Sequence, residues 1–160
     1  MPEGLRITER HEDAYAWALA QAERLRRGST GLKGVDRAGL SEFLEEWAEE
    51  VLSGARGQLV NLMAHAAKVA SSRNPGVLGH WRSECVEFHD RLIDEYRPSM
   101  RDKIDMAAPW RRARRKVNAS FADHGEAAPV LPAACPFSLD EVLDPDLDIE
   151  RLVAKLRSMQ

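Results

Sequence analysis

Cysteine is scarce in this sequence. Cys85 and Cys135 are the only two cysteines among 160 residues. A disulfide framework or a cysteine-based zinc site needs more thiols than this, and a low cysteine content is typical of a reducing compartment. Apolar runs of membrane-spanning length are lacking, as is the apolar segment of a signal peptide. We therefore expect a cytoplasmic protein that does not enter a membrane.

An excess of positive charge is also lacking. The 23 Lys and Arg residues face 26 Asp and Glu residues, which gives a net charge of -3. The chain as a whole does not attract nucleic acid, and any site for it must be a local cluster of basic residues. A chain of this length buries a core without metals or disulfides. We predict one domain over residues 1–160, with no cofactor and no metal.

Strand signals are absent, and apolar residues recur instead at spacings of three and four, which is typical of helices. The fold class predicted is therefore all-α, a bundle of four principal helices followed by short C-terminal helices. Pro109 is expected to kink or split the fourth helix. The predicted helices cover 12–27, 36–72, 78–96 and 99–121, with short ones starting near 138 and 148.

The long central helix, about 36–72, contains two glycines, Gly54 and Gly57. Eleven residues separate Val51 from Leu62, close to three turns, so the apolar face keeps its phase across the glycines. We predict one continuous helix, with the small residues where another helix crosses closely. Its predicted apolar face consists of Leu40, Leu44, Trp47, Val51, Ala55, Leu59, Leu62, Ala66 and Val69.

Five segments, in order, resemble a known family. They are Asp13-x-Tyr15-x-Trp17 with Gln21 and Ala22, the acidic stretch Leu40 to Trp47, Leu62 to Lys68, Trp81-Arg82 followed by Pro98 to Arg101, and Cys135 to Asp140. Together they resemble the DUF29 family over about residues 12–144. The resemblance implies a bacterial all-α protein of unknown function. The segment of about 146–159 is then expected to form a C-terminal helical extension beyond the family-like region.

A basic run in the fourth helix is the sharpest local charge feature. Its members, the candidate binding residues, are Trp110, Arg111, Arg112, Arg114, Arg115 and Lys116. Such a run with an adjacent aromatic side chain suits phosphate contacts and base stacking. The alternative is a solvated helix face, or one paired with the glutamates of the central helix.

Three histidines have weaker patterns. The Arg82-x6-His89 spacing resembles that of HEPN-type ribonucleases, in which an arginine would stabilise phosphorane charge and a histidine would act as acid or base. Arg82 and His89 are therefore the catalytic candidates. The alternative is that this short spacing occurs by chance in a chain with many arginines. His80 and Glu84, four residues apart, suit a metal or an ordinary polar pair. His65 is a candidate binding residue or a hydrogen-bonded structural one.

No pattern in the sequence specifies a reaction. We predict a small cytoplasmic interaction or assembly protein without catalytic activity, most simply a homo-oligomer or the binder of a protein partner. The reasons are Trp17, Trp47 and the amphipathic C-terminal stretch, which offer more apolar surface than one small bundle needs. The alternative is a nucleic-acid-associated protein, including a HEPN-like ribonuclease.

Overall fold

The computed structural model describes residues 10–28 and 36–160. Within these ranges all regular structure is helical, and no strand occurs, so the all-α prediction is confirmed. A 3-10 helix, Pro98–Lys103, lies between the third and fourth α-helices. The α-helices are α1 Ala14–Arg27, α2 Arg37–Ser71, α3 Pro75–Glu95, α4 Ala107–Asp123, α5 Leu139–Val142 and α6 Ile149–Arg157.

The contacts divide the chain into two compact units. The first unit comprises the described residues up to Gly54 together with Tyr96–Lys103, and the second comprises Ala55–Glu95 together with Ile104–Gln160. The helix α2 runs from one unit into the other without a break. No helix in the described residues combines the length and hydropathy that crossing a bilayer requires.

In the first unit, Asp13 joins α1 to the 3-10 helix. Its Oδ1 accepts a hydrogen bond from the backbone N–H of Ala16 at 2.9 Å, which caps α1. Its Oδ2 accepts one from the hydroxyl of Ser99 at 2.7 Å. Ser99 is the second residue of the 3-10 helix Pro98–Lys103, so this hydrogen bond ties the start of that helix to the start of α1.

The long central helix is confirmed, but its apolar face is only partly as predicted. Leu59, Leu62, Ala66 and Val69 are buried. Ala55 is likewise buried, as predicted. In the first half, however, the buried residues are Ser41, Ala48 and Leu52, while Leu40 is 44% exposed and Leu44, Trp47 and Val51 are half-buried. A Cβ built on Gly57 meets no atom within 4 Å, so the close helix crossing expected there is wrong.

Pro75 and Pro109 lie in the first turns of helices, where proline is tolerated. The third helix, predicted from residue 78, begins at Pro75, which takes the first helical position, and the Asn74 side chain accepts a hydrogen bond from Gly76 N at 2.9 Å. The predicted fourth helix is split, but at residues 104–106 and not at Pro109. Pro109 is the third residue of α4, where an N–H has no intrahelical partner to lose.

The two short C-terminal helices begin where the sequence predicted. The capping box is present: Glu141 N donates to Ser138 Oγ at 3.1 Å, and Ser138 N donates to Glu141 Oε2 at 3.5 Å. Asp148 caps α6, whose apolar residues Ile149, Leu152, Val153 and Leu156 are all buried. Since α6 packs on its own chain and contacts α3, it offers no free apolar face to a partner.

Candidate functional site

Trp110, predicted to stack a base, is a core residue. It is 0% exposed, its indole N–H donates to the carbonyl of Pro132 at 2.9 Å, and its ring meets Phe137 edge-on at 5.9 Å. It shares the buried side of α4 with Ala113, Val117 and Phe121. The predicted binding role of Trp110 is therefore wrong.

The basic residues of α4 lie on its opposite side. Arg111, Arg112 and Arg115 are exposed, and within residues 10–28 and 36–160 none of them has an ion-pair partner. Arg114 donates to the carbonyl of Ala133 at 3.4 Å, and Lys116 Nζ donates to Asn61 Oδ1 at 2.6 Å. A groove of about 520 Å³, the basic groove, is lined by Arg112, Arg115, Lys116, Asn118 and Ala119.

His65 is a residue of α2 in the second unit, and its side chain faces α3. Its Nδ1 is 2.8 Å from the Asn61 carbonyl oxygen, its Nε2 is 3.1 Å from Glu84 Oε2, and its ring contacts Phe88. Both nitrogens therefore face oxygen acceptors, which favours the protonated ring. Burial outweighs this and lowers the pKa of His65, with Lys68 and Lys116 adding to the effect.

Asn61 connects His65 to the basic groove. Its backbone carbonyl faces His65 Nδ1, and its side-chain oxygen accepts from Lys116. Lys68 lies over the Trp81 ring at 5.5 Å, and burial is the main cause that lowers the pKa of Lys68, with repulsion from Lys116 adding to it. The structure thus brings together two predicted binding residues, His65 and Lys116, that are 51 positions apart in the sequence.

The predicted catalytic pair is not brought together. His89 is 5% exposed, on the buried side of α3 with Cys85 and Leu92, whereas Arg82 is partly exposed and forms an ion pair with Glu150 of α6. Seven residues, roughly two helical turns, separate them. A buried histidine does not reach the sugar-phosphate backbone of an RNA strand, so this pair lacks the accessible acid or base that cleavage requires.

Metal ligands and nucleophiles do not assemble in the described part of the chain. His80 Nε2 is 3.4 Å from Glu84 Oε2, but no group of three or more His, Cys, Asp or Glu residues is arranged to hold a metal ion there. Burial raises the pKa of Cys85 to about 12 and also raises the pKa of Cys135. Both thiols stay protonated near neutral pH and are poor nucleophiles.

The first unit has an apolar surface around Trp17 and Trp47, the two residues predicted to offer surplus apolar area. Phe43 is 62% exposed on α2, beside half-buried Leu44 and Trp47 and across from half-buried Trp17 of α1. Arg10 contributes its guanidinium, 5.7 Å from the Trp17 ring centroid and 5.8 Å from that of Trp47. These five residues line a groove of about 300 Å³, the apolar groove.

Acidic side chains flank this groove on α2. Glu46 and Glu50 are exposed and follow Phe43 by three and seven residues, so they lie on the same side of the helix as its ring. Glu45 points elsewhere, because it pairs with Arg26 of α1. The apolar groove therefore has a negatively charged edge.

The model of the domain of unknown function DUF29 matches residues 11–159. The chain belongs to the DUF29 family. The match includes α6, which the resemblance alone assigned to an extension outside the family region.

A solved structure has the same fold as this DUF29 chain. It is the crystal structure of an alpha-helical protein of unknown function from Rhodospirillum rubrum, 27% identical, with a TM-score of 0.85 over 93% of this chain and 98% of that one. No curated protein matches the chain. The family and the neighbour thus establish the fold and assign no activity.

Proposed function

We propose that this DUF29 chain is a small, non-catalytic, bacterial cytoplasmic protein that binds a helical protein partner in the apolar groove. One observation carries the proposal: Leu40, Phe43, Leu44 and Trp47 form an exposed or half-exposed row on α2 at spacings i, i+3, i+4 and i+7. This is the spacing by which a helix engages a partner helix or groove. Free cysteines are consistent with the cytoplasmic location.

The groove has the composition of an interface centre. Aromatic residues and arginine dominate binding energy at protein interfaces, and here Trp17, Trp47, Phe43 and Arg10 come together. An exposed phenylalanine beside two half-buried tryptophans is costly to leave in water, since each ring buries a large apolar area when a partner covers it.

The negative charge beside the apolar groove favours a positively charged partner. Because Glu46 and Glu50 flank the groove, an amphipathic helix with Lys or Arg beside its apolar row is electrostatically complementary to it. A second copy bound through the same surface would bring the same two glutamates and only Arg10 as a counter-charge, whereas a basic helix brings several cations. We therefore favour a basic partner helix over the homo-oligomer that the sequence suggested. The ribonuclease alternative has no support from His89, which is buried.

Photo-cross-linking at the groove tests this proposal. A benzoylphenylalanine replaces Phe43 in one version of the protein and Val130, which is 75% exposed in the second unit, in the control version. After irradiation in cells, a partner cross-linked at Phe43 and not at Val130 is identified. Its cross-linked helix is then prepared and its affinity for the purified chain is measured by calorimetry.

We expect Phe43→Ser to weaken that binding by about 2 kcal/mol, roughly 30-fold, as for a central interface residue. Val130→Ser should leave it unchanged, and neither exposed substitution should alter thermal stability by more than about 0.5 kcal/mol. Equal binding by Phe43→Ser and wild type would refute the groove. A cross-link between two copies of the chain at Phe43 would replace the basic partner by self-association.

A further inference from the structure

The basic groove is the one strongly charged surface described above that the proposed function does not use. Its cations belong to α4, whose apolar side is buried in the second unit. Because that packing fixes the orientation of α4, Arg112, Arg115 and Lys116 face the solvent. Arg115 and Lys116 follow Arg112 by three and four residues and are therefore neighbours on the helix surface. The row is a fixed feature of the second unit.

The positive charge of this row is uncompensated. Arg112 and Arg115 have no anionic partner among the described residues, and Lys116 is held by the neutral side chain of Asn61. Lys68 of α2 adds positive charge near Lys116, but Glu84 attracts Lys68 more strongly than Lys116 repels it, so the uncompensated cations are those of α4. The charges of Arg112 and Arg115, which no carboxylate neutralises, are stabilised by an anion that enters between them.

We propose that the basic groove binds the phosphate backbone of a nucleic acid, without reading its sequence. Several cations in a row suit a ligand with several phosphates, and the amide of Asn118 adds a hydrogen-bond donor. The groove is lined by no aromatic side chain, because Trp110 is buried, so base stacking contributes nothing. A double helix, which displays its backbone, is therefore the appropriate probe.

A membrane surface is the less suitable partner. Helices that bind anionic lipids insert an apolar face beside their basic residues. The apolar face of α4, formed by Trp110, Ala113, Val117 and Phe121, is covered by its own unit. What remains outward is arginine, lysine, asparagine and alanine, which contact phosphates but have nothing to insert.

Fluorescence anisotropy with a labelled short DNA duplex tests the proposal at about 50 mM and about 200 mM salt. The variant Arg112→Gln/Arg115→Gln/Lys116→Gln removes three charges from the groove. The control Arg24→Gln/Arg73→Gln/Arg151→Gln removes three from exposed positions elsewhere, so both have the same net charge. Circular dichroism and thermal unfolding establish that each variant is folded.

Wild type and control should bind with similar affinity and steep salt dependence. The groove variant should bind at least tenfold more weakly at low salt, and its log–log salt slope should be smaller by about 3, roughly 0.9 per phosphate contact. Absence of wild-type binding, or equal loss in the two variants, overturns the proposal. So does equally strong binding to polyglutamate or to phosphatidylserine vesicles, which would assign the groove to an acidic protein or a membrane.

Discussion

Alanine at Gly57 should stabilise the protein, because α2 continues through this position as an ordinary helix. Gly57 is in the middle of the 35-residue helix, and a Cβ there meets no atom within 4 Å. Glycine in a helix interior costs roughly 0.5–1 kcal/mol relative to alanine, and open space means that no packing penalty offsets the gain. For a chain of 160 residues, about 1 kcal/mol raises Tm by roughly 2–4 °C.

Two other glycines make this a matched series measured by calorimetry. Gly79 also has open space around it within α3, so Gly79→Ala should raise Tm similarly. Gly125 has φ of +67° in the turn that ends α4, where Glu126 N donates to the Phe121 carbonyl at 2.9 Å. Alanine strains that conformation, so Gly125→Ala should lower Tm by about as much. A fall in Tm for Gly57→Ala would refute the continuous helix.

Two further predictions concern Trp110 and His65. Trp110→Phe should lower the free energy of unfolding in urea by about 1 kcal/mol, because the part-buried carbonyl of Pro132 loses its donor. DNA binding measured by anisotropy should be unchanged, and a loss of binding in the folded variant would return Trp110 to the site. Burial lowers the pKa of His65 in the folded chain, so as the pH falls below about 6.5 the unfolded chain binds a proton at this histidine before the folded chain does. The free energy of unfolding therefore decreases as the pH falls. His65→Gln should show a smaller loss between about pH 7.5 and about pH 5, and an identical pH profile would contradict the assignment.

The helices were predictable because their signals are local. The capping residues Ser138 and Glu141 fix a helix start within four positions, and an unbroken three-turn phase carried α2 through its glycines. One exception is also local in origin. The presence of Pro109 predicts a kink or a split, although proline is well tolerated in the first turn of a helix, where Pro109 lies.

Which face of α2 is buried was not predictable from periodicity alone. The first half of the helix has two candidate faces, one with large apolar residues such as Leu40 and Phe43, and one with small residues such as Ser41 and Ala48. Hydropathy favours the large residues, but the small ones are buried there. In this first half, the predicted face from Leu40 to Trp47 is therefore exposed or half-buried, and together with Phe43 it forms the candidate site.

The site predictions failed where charge or spacing was considered without the helix face. Trp110 stands beside the basic run, yet its spacing to Ala113 and Val117 places it on the core side of α4. His89 follows Cys85 by four residues and precedes Leu92 by three, which is likewise the buried side of α3. The partnership of Lys116 with Asn61 crosses 55 positions, and no local pattern predicts it.

Hydroxyl-radical footprinting tests the central claim, that the apolar face of α2 is displayed for a partner, most directly. It reports the solvent accessibility of Leu40 and Phe43 in the purified chain and in its complex with the helix cross-linked at Phe43. We predict strong labelling of both residues in the free chain, protection in the complex, and unchanged labelling of Val130. Weak labelling of Phe43 in the free chain, or equal labelling in the complex, would contradict the account.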